Sequence, residues 1–185
     1  MIKEQQKKVE IGTVKRKDIL ENQAKIVFLG IGSNLGHRKT NIEKAKFLLT
    51  EYNLDFLLVS SYYETPSWPD PTKPKFINII LKLKCYYNPQ ELLKICKSIE
   101  TQLGRKKTKK NAPRTCDLDI IDFNKLVSKK NSKINLPHKM MHIRNFVLLP
   151  LFEIQKNWMH PHKQIDVKTL ISLLPDRDIR SIKQI

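Results

Sequence analysis

Asp117 and Asp119 stand two residues apart in the stretch Ala112 to Phe123, APRTCDLDIIDF. Side chains two apart on an extended strand share a face, so these carboxylates project together while Leu118 and Ile120 turn to the core. Like charges that close repel and shift each other's proton affinity unless something neutralises them, and a hard, oxygen-seeking cation such as Mg2+ is the usual partner. Arg114, three residues upstream, carries a planar fork suited to phosphate oxygens. A cation site and an anion site thus lie within a few residues of each other, as nucleotide phosphate chemistry requires. The same letters also fit a half-exposed strand whose acids are solvated or paired to lysines, so the surrounding elements have to decide.

Lys25 to Ile31, KIVFLGI, is an apolar run that predicts a buried strand, and Gly30, Gly32 and Gly36 crowd its end. Asn41 to Tyr52 follows with Ile42, Ala45, Leu48 and Leu49 at helical spacing. The turn GIGSNLG spaces its glycines as GxGxxxG rather than GxGxxG, which sets a dinucleotide fold aside. Gly32 instead marks a close approach of backbone to a ligand, or tight packing of helix on strand.

Leu54 to Tyr63 predicts a second strand, and ETPSWPDPTKPK then predicts an irregular loop because of Pro66, Pro69, Pro71 and Pro74. Ordered loops of that length often have a function. Phe76 to Cys85 alternates cleanly, with Asn78 on the face of Phe76. An aromatic side chain beside an amide suits a flat heterocycle. Asn88 caps a predicted helix from Pro89 to about Leu103, closed by Gly104, with Glu100 at the margin of its apolar stripe. There the carboxylate can meet a ligand or the adjacent backbone.

Arg105 to Asn111, RKKTKKN, predicts a flexible basic loop, either a lid over a triphosphate or a solvated lysine turn. Leu126 to Asn135 is polar and is expected to end in a short return strand. In LPHKMMHIRNFVLLPLFEI, His138, His142, Arg144 and Phe146 cluster ahead of an apolar run in which Pro150 should limit any helix. Two histidines with an arginine can contact phosphate or ribose. A short helix is expected from Val167 to Leu174. The order βαββαβ predicts an α+β fold of ferredoxin-like type, an antiparallel sheet with helices packed on it.

At 185 residues the chain suits one domain, read as residues 25–185 behind a polar extension, 1–24. No run approaches the ~18 apolar residues of a membrane span, and the extension lacks the apolar centre of a secretory signal. A cytoplasmic location is expected. Cys85, Cys96 and Cys116 are odd in number and sit among apolar residues, so they read as reduced core side chains. The formal charge of +17 points toward polyanions, but only seven of the 35 basic residues are arginine and the lysines are spread over every segment.

Together these motifs make the sequence resemble the 6-hydroxymethyl-7,8-dihydropterin pyrophosphokinase family of folate biosynthesis. The likeness rests on GIGSNLG (30–36), YETPSWP through KFIN (63–78), ETQLGR (100–105), APRTCDLDII (112–121), and LPH followed by RNFVLLPLFEI (136–154). The resemblance implies transfer of pyrophosphate from ATP to the pterin hydroxymethyl oxygen, with release of AMP. It implies a pterin pocket of Gly32, Thr65, Pro66, Trp68, Phe76, Asn78 and Phe146, the ring lying between the two phenylalanines. Asp117 and Asp119 match ligands of two Mg2+ ions. Glu100, Arg105, Arg114, His138 and Arg144 match residues that engage ATP, with Arg105 and Arg114 clamping phosphates.

The expected partners are therefore ATP and the hydroxymethyldihydropterin, with no nucleic acid or membrane, and the chain is expected to be a monomer. Asn111 departs from the family, which is often aromatic there, and Lys139 follows His138 where proline or an aromatic is common. Two other readings stand beside this one: a basic ferredoxin-like module that binds RNA, and a relative that binds pterin without turning it over.

Overall fold

The apolar run at residue 25 becomes an interior strand of the sheet in the computed structural model, which describes residues 23–106, 112–130 and 132–185. This strand, β1 (Lys25–Ser33), buries Val27, Leu29 and Ile31 on one face and Phe28 on the other. It pairs antiparallel with β4 (Phe76–Cys85) on one side and β5 (Asp117–Phe123) on the other. Along the outer side of β4 lie β2 (Asp55–Val59) and then β3 (Tyr63–Thr65), and β6 (Lys183–Gln184) pairs with β3 at the edge.

Helices α1 (Arg38–Thr50) and α2 (Pro89–Gln102) cover one face of this sheet. Ile42, Ala45, Leu49, Leu92, Cys96 and Ile99 pack there against Leu29, Leu81 and Leu118. Helices α3 (Asn145–Ile154) and α4 (Val167–Ser172) cover the other face, where Val147, Leu148, Leu151 and Leu170 pack against Phe28, Ile80 and Ile121. With β2 and β3 counted as the two halves of one broken strand along β4, the core is the βαββαβ order of the ferredoxin-like α+β arrangement, with a third layer added by the C-terminal part. That layer covers part of the sheet face on which an RNA-binding module of this fold would stack bases, over Phe28, Ile80 and Ile121.

Several expectations are corrected. The single strand over 54–63 is two, β2 and β3. Ser60 separates them, its N–H donating to the Ile80 carbonyl (2.9 Å) while its hydroxyl accepts from the Ile80 N–H (2.9 Å), and the next residue turns out to Glu153. No strand forms at the end of 126–135 among the described residues. The Ser128 hydroxyl closes a loop there, donating to the Ile134 carbonyl (2.7 Å) and accepting from Leu136 N–H (2.8 Å). Pro150 does not limit α3, which runs through it. An interior proline typically costs ~3 kcal/mol or more, and the burial of Val147, Leu148 and Leu151 on the sheet offsets that. A fifth helix, α5 (Asp176–Ser181), and β6 are additions to the sequence reading.

The helix after Asn88 follows the sequence signals closely. Asn88 Oδ1 accepts from the Glu91 N–H (3.0 Å), Glu91 Oε2 accepts from the Asn88 N–H (2.8 Å), and Pro89 fills the first turn. At the other end Gly104 adopts φ +82°. The Gly104 N–H donates to Thr101 O and the Arg105 N–H to Glu100 O, both at 3.0 Å. This glycine-dependent stop turns the chain back on itself, and so brings Arg105 beside Glu100. Residues 1–22 and 107–111, and with them most of the extension, most of the basic loop and Asn111, lie outside the described residues.

Candidate active site

Two rows of residues cross the sheet and form a floor. Gly32 on β1 lies opposite Asn78 on β4 and Asp117 on β5, and Gly30 lies opposite Ile80 and Asp119. The period-two pattern therefore puts the acids on one side of a glycine strip and the amide and aromatic of β4 on the other. A Cβ at Gly32 would come within 2.8 Å of Asn78 Oδ1 and 3.4 Å of the Phe76 ring. The missing side chain leaves room for a ligand over the backbone. Above the strip is a cavity of about 290 Å3.

The ring end is built from β3, the loop after it, β4 and the start of α3. Thr65 lies opposite Phe76 in the strand register, and the buried Asn78 amide donates to Thr65 Oγ1 at 3.2 Å. Trp68, Phe76 and Phe146 supply flat walls, and Pro66 completes the rim. The Arg144 guanidinium stands 5.3 Å from the Trp68 ring and 5.5 Å from the Phe146 ring, and Arg114 stands 5.8 Å from the Phe76 ring. All three pairs are within cation–π range.

The acid end is densely compensated. Asp117 accepts from Arg105 (2.5 Å) and from Arg114 (3.1 Å). Asp119 is more open, with Arg144 at 3.7 Å and His138 Nε2 at 3.9 Å. Burial works against the charge of Arg105, but Asp117 and Glu100 outweigh it and hold the guanidinium above its ordinary pKa. Burial lowers the pKa of Arg144 despite Asp119. Burial also holds His138 below its ordinary value, against the pull of Asp119. The Nδ1 of His138 accepts from the Met140 N–H (3.3 Å), so the neutral ring carries its proton on Nε2, toward Asp119. The Nε–H groups of Arg114 and Arg144 are buried without a hydrogen-bond partner, as donors awaiting an acceptor would be.

Of the residues expected at the site, thirteen line this one cavity and Glu100 does not. The Glu100 side chain is 3% exposed and stands behind the wall, where it accepts from the Leu118 N–H (2.9 Å) and pairs with Arg105 (2.7 Å) and Lys97 (2.8 Å). It thus anchors β5 between the two acids. His142 is not in the cavity, its ring facing His160. Sequence reasoning missed Gly30 and Lys97, which both line the cavity. Lys97 lies one helical turn before Glu100, a spacing that could have flagged it. Asn34 was also missed. It is buried, and it ties Arg114 to the proline loop by accepting from the Arg114 N–H (2.8 Å) and donating to the Pro74 carbonyl (3.1 Å).

Paired acids and three arginines beside three aromatic side chains are what an enzyme of the class that brings a polyphosphate to a flat ligand would need. The family model described as 7,8-dihydro-6-hydroxymethylpterin-pyrophosphokinase (HPPK) matches residues 28–156, and the chain belongs to that family. Pyrophosphate transfer from ATP to hydroxymethyldihydropterin, in folate synthesis, is the activity that this membership carries. A 2-amino-4-hydroxy-6-hydroxymethyldihydropteridine pyrophosphokinase of Aquifex aeolicus is 38% identical over 73% of this chain and 83% of its own. The enzyme of that name from Bacillus subtilis is 38% identical over 70% of this chain and 77% of its own. The folic acid synthesis protein FOL1 of Dictyostelium discoideum is 36% identical over 82% of this chain, which spans only 23% of it. Among solved structures, wild-type Plasmodium falciparum HPPK-DHPS superposes with a TM-score of 0.65 at 16% identity, over 82% of this chain and 45% of that one. At that identity the likeness speaks for the fold.

Proposed function

We propose that the cavity runs this reaction as an in-line attack of the pterin hydroxymethyl oxygen on the β-phosphorus of ATP, with AMP as the leaving group. The observation that carries this reading is the floor, where one glycine separates the ring-binding amide of Asn78 from the carboxylate of Asp117. A ring held between Phe76 and Phe146, with its polar edge toward Asn78 and Thr65, directs a substituent across Gly32 toward the acids. Arg105, Arg114 and Arg144 surround the place where the phosphates would lie, and two of them have buried N–H groups to offer. Most of the rate enhancement then comes from positioning and from charge held in place beforehand.

The donor set fits Mg2+, which prefers oxygen and is commonly held by one or two carboxylates with phosphates and water. Among the described residues no cluster of three or more metal-binding side chains is present, so the chain contributes Asp117 and Asp119. When bound, Mg2+ would neutralise phosphate charge and acidify the hydroxyl, and two ions are expected with ATP. His138, neutral and with its proton facing Asp119, is a donor at this end and not a base. We take residues 25–185 as one catalytic unit that works as a cytoplasmic monomer. Its three cysteines are free and buried, and no helix among the described residues is long and apolar enough to cross a membrane.

AMP release from MgATP, measured with and without 6-hydroxymethyl-7,8-dihydropterin, tests the reading. Pterin-dependent AMP is expected from the wild-type chain. Asp117→Ala and Asp119→Ala should each reduce it by ~100-fold or more, the scale of losing an electrostatic group at a reacting centre. Near-normal AMP from either variant would reject the role of the acids, and pterin binding without any AMP would favour an inactive relative.

A further inference from the structure

The C-terminal segment lies beyond the residues matched by the family model, yet it touches both walls of the cavity. On one side, β6 pairs with β3, placing Gln184 opposite Tyr63 and Lys183 opposite Glu64. The Ile185 N–H donates to the Tyr62 carbonyl, and Gln184 Nε2 to Ser61 Oγ, both at 2.9 Å. This strand leads directly into Thr65, Pro66 and Trp68. On the other side, the buried amide of Asn145 donates to the Asp178 carbonyl (2.5 Å) and lies 3.3 Å from Ser181 Oγ. Asn145 sits between Arg144 and Phe146, both of which line the cavity. The far end of α3 has its own tie, because Glu153 accepts from the Ser61 N–H (3.0 Å) and from the Tyr63 hydroxyl (3.0 Å). The near end, where the ring would rest, is joined to β3 through Asn145 and the tail.

We propose that the segment from Asp176 to Ile185 braces the two walls of the cavity against each other, and that Asn145 is a positioning residue that sets the ring slot through this brace. The slot between Phe146 on α3 and Phe76 on the sheet is only as well defined as the start of α3. An aromatic ring gains most from walls already held at its own thickness, since ordering them at binding would cost affinity. In naming a ring as the occupant, the inference rests on the function proposed above.

Two substitutions in the full chain separate a brace from an ordinary helix start. Asn145→Asp keeps the shape, the acceptor for the Phe146 N–H (2.7 Å) and a helix-favouring first residue, but removes the donor to the tail. Asn145→Ala removes both. At saturating MgATP, Asn145→Asp should raise KM for the hydroxymethyldihydropterin about fivefold to tenfold, the effect of one hydrogen bond. Its kcat and KM for MgATP should stay within about twofold. A chain ended after Ser181, without β6, should shift the pterin KM in the same direction, and it carries the test alone should Asn145→Asp not fold.

Backbone hydrogen exchange at Tyr63 to Thr65, measured without substrate, should quicken in Asn145→Asp. Wild-type kinetics and exchange in that variant would overturn the proposal. So would a defect in Asn145→Ala that Asn145→Asp does not share. Should the wild-type chain make no pterin-dependent AMP, the functional reading falls, and the exchange measurement still decides whether the brace exists.

Discussion

Gly32 is the residue on which the two halves of the site converge, and its lack of a side chain can be tested directly. A methyl group placed 2.8 Å from Asn78 Oδ1 and 3.4 Å from Phe76 leaves the amide too close to stay where it is, and so must displace it. Overpacking of this kind costs about 1–3 kcal/mol. Gly32→Ala should therefore raise the pterin KM at least ~5-fold while MgATP binding changes little. Unchanged pterin kinetics would mean that no ligand approaches this strip. Glu100 invites a different experiment, since its carboxylate satisfies a buried N–H of β5. Leaving such a group unpaired costs about 1–3 kcal/mol, or several degrees of melting temperature in a chain of this size. Glu100→Gln retains an acceptor and should melt close to wild type, whereas Glu100→Ala should not. Equal melting temperatures would deny the backbone contact its importance. At this scale the acids, Asn78 and Phe76 were legible because strand alternation gives direction to side chains. Gly30 has no side chain to give a pattern, and Lys97 was hidden among many lysines.

The elements were legible where local chemistry decides them. Asn88, Pro89, Glu91 and Gly104 fix both ends of α2, and through the turn at Gly104 they aim Arg105. Asn88→Ala should therefore lower stability by about 1 kcal/mol, read as a lower midpoint in urea, without altering the pterin KM. A change in KM at unchanged stability would show that the helix start reaches the site. Elements decided by distant partners were less legible. The break at Ser60 depends on Ile80 and Glu153, and the continuity of α3 through Pro150 depends on the sheet face beneath it. Neither partner is near in sequence. The return strand expected before Leu136 failed for a local reason, because its polar run offers Ile134 as its only partly buried apolar residue.

For the whole molecule the charge of +17 was the least informative signal, and histidine burial is more telling. His138, His142 and His160 all have pKa values below the ordinary 6.5, in each case mainly through burial, and His160 falls to about 4. A histidine kept neutral by the fold contributes stability above its unfolded pKa, and that contribution is lost as pH falls toward the folded one. The melting temperature is therefore expected to drop between about pH 6.5 and 4. His160 Nδ1 accepts from the N–H groups of His162 (3.2 Å) and Lys163 (3.1 Å). His160→Asn can preserve an acceptor there without a titrating ring, so it should flatten this part of the curve. A slope identical to wild type would exclude His160 as a source. Asp122, buried against Trp158 with its pKa raised by burial, acts in the opposite sense, since its stabilising influence grows with acidity.

The two guanidinium nitrogens enclosed without an acceptor bear on how this protein persists between encounters with nucleotide. Donors of that kind go unsatisfied in the solitary chain, and an anionic visitor that accepts from them binds the folded state alone. Resistance to heat and proteases should then rise with nucleotide supply, so that the amount of enzyme surviving in a cell would follow the abundance of its phosphate donor.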